Sequence, residues 1–272
     1  MADKRSALKQ GQIDILELLY SYRFGSRHLL AESLNIKAGS SLHEKLQVLM
    51  KHGYINMRLE KRLKLLGTPA AYYLTPKGLR TLEALPDHEY ITGSVIKGSY
   101  KDKTVSQSFI NQTLRIYAQT NRLLSAHPGL RVFTKRHMSR YSYFPQPLPD
   151  AFLSLPAGKD TPPKRFFLDI IPDNLPRQPL YQRITSYAEF FDEDSWRVVS
   201  TELPALLLLG ETGTTERRIQ RTVRAALYSA ELDDDLSVYT STFGATNNLA
   251  ENPAIWTSLG DPDKLLALPE LI

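Results

Sequence analysis

Asp150 and Asp169 are the residues whose type and spacing best suit chemistry in this chain. Each sits in a strand-like pattern, Pro149 to Leu155 and Arg165 to Ile171, with a Pro/Gly/Lys-rich turn between, so a hairpin would bring the two carboxylates together. Paired carboxylates suit Mg2+, a hard ion that takes oxygen ligands and shares its shell with water and a substrate phosphate. Downstream, Arg183 and Tyr187 stand at i and i+4 of a helical pattern, share one face, and can look toward the carboxylates. Arginine stays protonated, so Arg183 can clamp phosphate charge but cannot act as a general base. The candidate catalytic set is therefore Asp150, Asp169, Arg183 and Tyr187, with Asp150 and Asp169 also the candidate metal ligands. The same residues fit a purely structural role, two aspartates at a sheet edge with Arg183 paired to one of them.

A second constellation lies near the start. Leu42, Leu46, Leu49 and Met50 recur at helical spacing and form one apolar stripe. The other face carries Ser41, His43, Glu44, Lys45, Gln47, Val48 and Lys51, and a helix that turns such mostly polar and basic side chains outward can meet base edges and phosphates in a major groove. Gly53 ends the helix. Two helical stretches precede it, one through Ile13, Leu16, Leu19 and Tyr22, the next through Leu29 to Leu34 with Ser26 as N-cap. Tyr54 to Leu59 and Ala71 to Thr75 then read as antiparallel strands, and the connection between them holds Lys61, Arg62 and Lys64, placed to meet phosphates. The expected DNA-binding residues are Ser40, Ser41, His43, Lys45, Gln47, Lys51, Lys61, Arg62 and Lys64.

This order, from about residue 11 to 85, resembles the winged helix-turn-helix repressors of the multidrug-resistance-regulator type. A polar segment at 86–103 reads as a linker. Beyond it come a helix from Val105 to Leu124, a short strand Arg131 to Thr134, and a basic, tyrosine-rich loop Lys135 to Tyr143 whose composition suits stacking and neutralising nucleic acid strands or a plain surface loop. The two aspartate strands follow, then a helix Leu180 to Phe191, a buried strand Leu203 to Leu209 and a helix Thr214 to Ala230. Gly210 to Thr215 lacks the lysine of a phosphate loop and reads as a turn capped by Thr214 or Thr215.

The order helix, three strands, helix, strand resembles the core of the PD-(D/E)xK nuclease superfamily, which implies acidic residues presented to Mg2+ from two strands. Against that pattern Ile171 replaces the lysine of the third position, and Arg183, four before Tyr187, stands where some members move the cationic function. Taken with the winged helix, the runs Leu148 to Phe152, Phe166 to Asp169, Arg183 to Tyr187 and Leu203 to Leu209 look like the replication-relaxation family of plasmids and integrative elements, over about residues 10 to 230. Asp169 stands where that family commonly has glutamate.

Charge supports two unlike halves. Residues 1–145 hold 23 Lys and Arg against 10 Asp and Glu, whereas 146–272 hold 11 against 19. No cysteine is present, which excludes disulfides and thiolate sites, and the six histidines never fall two apart, which excludes a paired-histidine relaxase metal site. No apolar run approaches the roughly 18 residues of a membrane span, and the first residues lack a secretory h-region, so a cytoplasmic protein is expected.

The resulting expectation is an α+β chain: winged helix at 1–85, linker at 86–103, nuclease-like α/β domain at 104–235 and an extension at 236–272. Its expected role is sequence-specific binding of double-stranded DNA in plasmid replication, relaxation or mobilisation. The alternatives are a transcriptional repressor with an inactive dimerisation or partner-binding domain, and a Mg2+-dependent endonuclease. A homodimer is one expected assembly, and Mg2+ is the one cofactor that the acidic pair would take.

Overall fold

Leu42, Leu46 and Leu49 are fully buried along one side of α3 (Ser40–Lys51), as their spacing requires. They pack on α1 (Gln10–Tyr22), through Ile15, Leu16 and Leu19, and on α2 (Arg27–Ser33), through Leu29 and Leu30. The computed structural model describes residues 8–59, 67–157, 161–193, 195–230 and 236–271. Lys61, Arg62 and Lys64 lie outside the described residues. The chain divides into two units, Met1–Ala118 and Gln119–Ile272, each taken by itself below.

In the first unit Ser26 caps α2, its Oγ accepting from Leu29 N at 3.3 Å. Gly53 takes φ +72 after α3, a left-handed turn that glycine adopts without strain. β1 (Ile55–Arg58) then pairs antiparallel with β2 (Ala71–Leu74), Ile55 opposite Leu74. Thr75 caps α4 (Pro76–Glu83) and also donates to the Gly53 carbonyl at 2.6 Å, which ties the helix to the α3 exit. A Cβ at Gly78 would overlap the Tyr54 carbonyl oxygen, so only glycine permits this crossing.

The segment 86–103, expected as a linker, instead holds α5 (Gly93–Ser99) and a 3-10 turn (Tyr100–Lys103). Ile91 and Ile96 are buried in the core of this unit, two apolar anchors hidden by polar neighbours. The start of α6 (Gln107–Ala126) also belongs to it: the Tyr117 ring stacks on Tyr22 at 3.7 Å, and its hydroxyl meets Ser33 Oγ at 2.8 Å.

The second unit is built on a seven-stranded mixed sheet in sequential order, from β3 (Arg131–Thr134) through β4 (Ala151–Leu155), β5 (Lys164–Ile171), β6 (Ala205–Gly210), β7 (Val238–Thr242) and β8 (Ala254–Ser258) to β9 (Leu265–Ala267). β3, β4 and β5 run antiparallel, β5, β6 and β7 parallel, and β7, β8 and β9 antiparallel. A helical turn, α7 (Lys135–Met138), follows β3 within the expected basic loop. The parallel crossovers run through α8 (Arg177–Asp192) and α9 (Gly213–Ala230), which pack on each other and cover the sheet.

β6 is buried at every position, the apolar run of a central strand covered on both faces. Thr212, rather than Thr214 or Thr215, caps α9: its Oγ1 accepts from Thr215 N at 3.3 Å. Residues 236–271, read from sequence as an extension, supply three of the seven strands together with the short helix α10 (Phe243–Thr246). Among the described residues no helix is long and apolar enough to cross a membrane.

Candidate functional site

β5 carries Phe167, Asp169 and Ile171 on one face by the alternation of a strand. Phe167 stacks against Tyr187 of α8, so this is the face that α8 covers. Ala151 is opposite Leu168, which sets Asp150, one residue before β4, beside Asp169. The Asp150 backbone N–H donates to Asp169 Oδ1 at 3.0 Å. Arg183 and Tyr187, one turn apart on α8, reach the same carboxylate. Arg183 Nε donates to Asp169 Oδ2 at 2.7 Å and a terminal guanidinium nitrogen to Oδ1 at 3.0 Å, a two-pronged pair. The Tyr187 hydroxyl donates to Oδ2 at 2.9 Å and accepts from Arg183 at 2.8 Å.

The four residues singled out from sequence as catalytic are thus brought together. Lys135, at the start of α7, joins them, donating to Asp150 Oδ1 at 2.7 Å. Asp150 Oδ2 accepts from Ile170 N at 2.9 Å. Arg183 also donates to the carbonyl oxygens of Pro147 and, at 2.8 Å, Leu148. Sequence reading misses Lys135 as a partner, although the register Thr134 opposite Ala151 places Lys135 across from Asp150.

Burial sets the electrostatics. Asp169 is 3% exposed, and burial alone would disfavour its charge. The Arg183 charge and hydrogen bonds outweigh that and hold the carboxyl below its ordinary value. For Asp150 burial prevails: its carboxyl is raised, with Lys135 pulling down and Asp169 pushing up. Burial and the Asp169 charge raise the Tyr187 hydroxyl, which therefore stays a proton donor. Arg183 is held protonated, Asp169 overcoming the burial that opposes its charge.

Every carboxylate oxygen of the pair therefore already accepts at least one protein donor, and two of those donors, Lys135 and Arg183, are cations. This set does not fit a Mg2+ site as it stands. Among the described residues no group of three or more His, Cys, Asp or Glu is arranged to hold a metal ion. Ile171 is buried in the same core as Leu180 and Ile184.

The described DNA-binding candidates lie together on α3, where Ser40, Ser41, His43, Gln47 and Lys51 are exposed. Lys45 is half-buried, its ammonium beside Gly11 of α1. Val48, 42% exposed, shares this surface.

The fold and site define a mixed α+β protein with a seven-stranded sheet and a buried Asp–Arg–Tyr cluster. No family model matches the chain, and no curated protein matches it. Among solved structures it is similar to restriction endonuclease FokI. The DNA-bound form matches at TM-score 0.32 and 12% identity over 89% of this chain and 45% of that one. A second FokI structure matches at TM-score 0.32 and 13% identity over 90% and 45%. The chain thus spans about 45% of the length of these neighbours. Neither fold nor activity follows from a likeness this distant.

Proposed function

We propose that the chain is a sequence-specific DNA-binding protein whose first unit is a winged helix with α3 in the major groove of duplex DNA. The observation that carries this is α3 itself. Its leucine stripe is buried against α1 and α2 while Ser40, Ser41, His43, Gln47 and Lys51 stay exposed on one surface. The order of three helices, an antiparallel pair and a further helix supports the same reading. In it, the sequence between β1 and β2 supplies Lys61, Arg62 and Lys64, three cations for phosphates.

The test is a titration of duplex DNA at several salt concentrations with all three wing cations replaced by alanine. Binding should weaken for every sequence, and the salt slope should flatten by up to about 3. Unchanged affinity and slope would refute the wing.

The second unit, in this reading, is a nuclease-like α/β domain in which the acidic pair has become a structural ion cluster. Its antiparallel, antiparallel, parallel strand order with α8 between β5 and β6 supports the nuclease-like assignment. The donors on every carboxylate oxygen support a domain without efficient cleavage. Incubation with supercoiled and single-stranded DNA in Mg2+ or Mn2+ tests it. Robust cleavage that vanishes in Asp150→Ala and Asp169→Ala would overturn it in favour of an endonuclease.

The resemblance to the replication-relaxation family extends the proposal to a mobile element, in replication, relaxation or mobilisation. A closed ion cluster equally fits a repressor whose second unit dimerises or binds a partner. Footprinting separates the two: protection inside a replication or transfer origin favours the first, protection over the protein's own promoter alone the second.

A further inference from the structure

The basic, aromatic segment after α7 is held in an unusual way. Before it, at the start of α7, Lys135 is tied to Asp150, and just past its end the carbonyls of Pro147 and Leu148 accept from Arg183, itself clamped on Asp169. The Asp150–Asp169–Arg183 cluster therefore holds the chain on both sides of the loop 139–146.

Within the loop the rings form a staircase rising from the core. Trp196, 1% exposed, meets Tyr143 edge-on at 6.2 Å, and Phe144, also buried, lies 4.9 Å from the same ring. Tyr143 is half-buried and stacks on Tyr141 at 5.2 Å and 29°, while Tyr141 is 43% exposed. The Arg140 guanidinium lies over the Tyr141 ring, 5.8 Å from its centroid.

The charge setting is equally specific. Residues 119–145 contain 5 Lys and Arg and no Asp or Glu, in a unit whose remainder, 146–272, is acidic. An exposed ring with an arginine over it, stacked on rings that lead down to the core, in a stretch of chain that carries cations and no carboxylate, matches what binds unpaired nucleotides: an aromatic surface for the base and positive charge for the phosphates.

We infer that the loop 139–146 is a stacking platform for an unpaired DNA strand, with Tyr141 receiving a base and Arg140 lying along its phosphates. This rests on the DNA-binding reading above and adds to it a contact with single-stranded DNA in the second unit. Asp150, Asp169 and Arg183 are then positioning residues for the platform.

The experiment uses the full chain and labelled oligo(dT) of about 20 nucleotides, oligo(U) of the same length and a duplex of the same length, all at one ionic strength. The unmutated protein should bind oligo(dT). Tyr141→Ala should lose on the order of 5- to 150-fold of that affinity, Tyr141→Trp should keep it, and duplex binding should not change in either.

A variant-free measurement accompanies it: photocrosslinking of a bromodeoxyuridine-substituted strand, located by mass spectrometry, should mark Tyr141 or Tyr143. Unaltered oligo(dT) affinity in Tyr141→Ala, equal losses on oligo(dT) and duplex, binding of oligo(U) alone, or a crosslink confined to α3 would each overturn the platform. Failure to bind duplex with oligo(dT) binding retained would refute the winged-helix reading and leave the platform standing.

Discussion

Replacing Arg183 by leucine should destabilise the second unit more than any other single change in its polar cluster. The substitution leaves Asp169, 3% exposed, without the charge that offsets its burial, and strips Tyr187, Pro147 and Leu148 of a shared donor. Both side chains of the pair are largely buried, 14% and 5% exposed, so solvent screening takes little away. Breaking one side of such a buried pair costs about 3–5 kcal/mol. With an m-value of about 2 kcal/mol/M, the urea midpoint should fall by roughly 1.5–2.5 M.

Both tryptophans, Trp196 and Trp256, lie in the second unit, so their emission follows its unfolding alone. The sign of the pH dependence follows from the same geometry. The Asp169 carboxyl is depressed in the folded protein, so its contribution is present above the unfolded value near 3.8 and disappears as pH falls through the folded one. In Arg183→Leu burial pushes the carboxyl upward instead, so the folded variant takes up a proton as the solution is acidified. The deficit of the variant should therefore be largest at neutral pH and shrink toward about pH 4.5. Adding Asp169→Asn to Arg183→Leu removes the stranded charge and should recover a good part of the loss. A deficit below about 1 kcal/mol at neutral pH, or one equal at both pH values, would refute the assignment of Arg183 as the compensating charge.

Tyr187→Phe removes one buried donor to Asp169 and should cost about 1–2 kcal/mol by the same fluorescence assay, without the pH signature of Arg183→Leu. Gly78→Ala would force a methyl onto the Tyr54 carbonyl and should destabilise the first unit by about 1–3 kcal/mol, read as a lowered melting temperature by circular dichroism. On α3, Gln47→Ala should lower discrimination between the specific site and unrelated sequence by about 1–3 kcal/mol, whereas Lys51→Ala should weaken all sequences and reduce the salt slope by about 1, both measured by fluorescence anisotropy.

The periodic parts of the chain are legible in its sequence. α3 spans Ser40–Lys51, where its leucine stripe and Gly53 place it, and β3, β5 and α8 fall within a few residues of their patterns. Asp150, Asp169, Arg183 and Tyr187 meet because a hairpin and an i, i+4 pair are local devices that sequence spacing encodes. Lys135 is not legible in the same way, because its partner is fixed by strand register and its neighbours Arg136 and Arg140 look the same in sequence. β7 is hidden for another reason: Val238, Tyr239, Thr240 and Ser241 are all buried, so the polar positions that mark a half-exposed strand point into the protein. Ile91 and Ile96 anchor the segment 86–103 from a background of glycine, serine and lysine, where two contacts decide the packing but leave no period.

The sequential strand order also governs how the chain can be shortened. β6, with Leu206 to Leu209 buried, is shielded on one flank by β5 and on the other by β7, which comes from residues 238–242. A chain cut before Val238 would lose that second flank and present a row of unpaired amides along a strand of consecutive leucines. Such an edge is a template for strand addition by another molecule. Insolubility of a shortened form would then report an uncapped sheet, and solubility should return with Lys or Glu placed on β6 or with a supplied peptide bearing the β7 sequence.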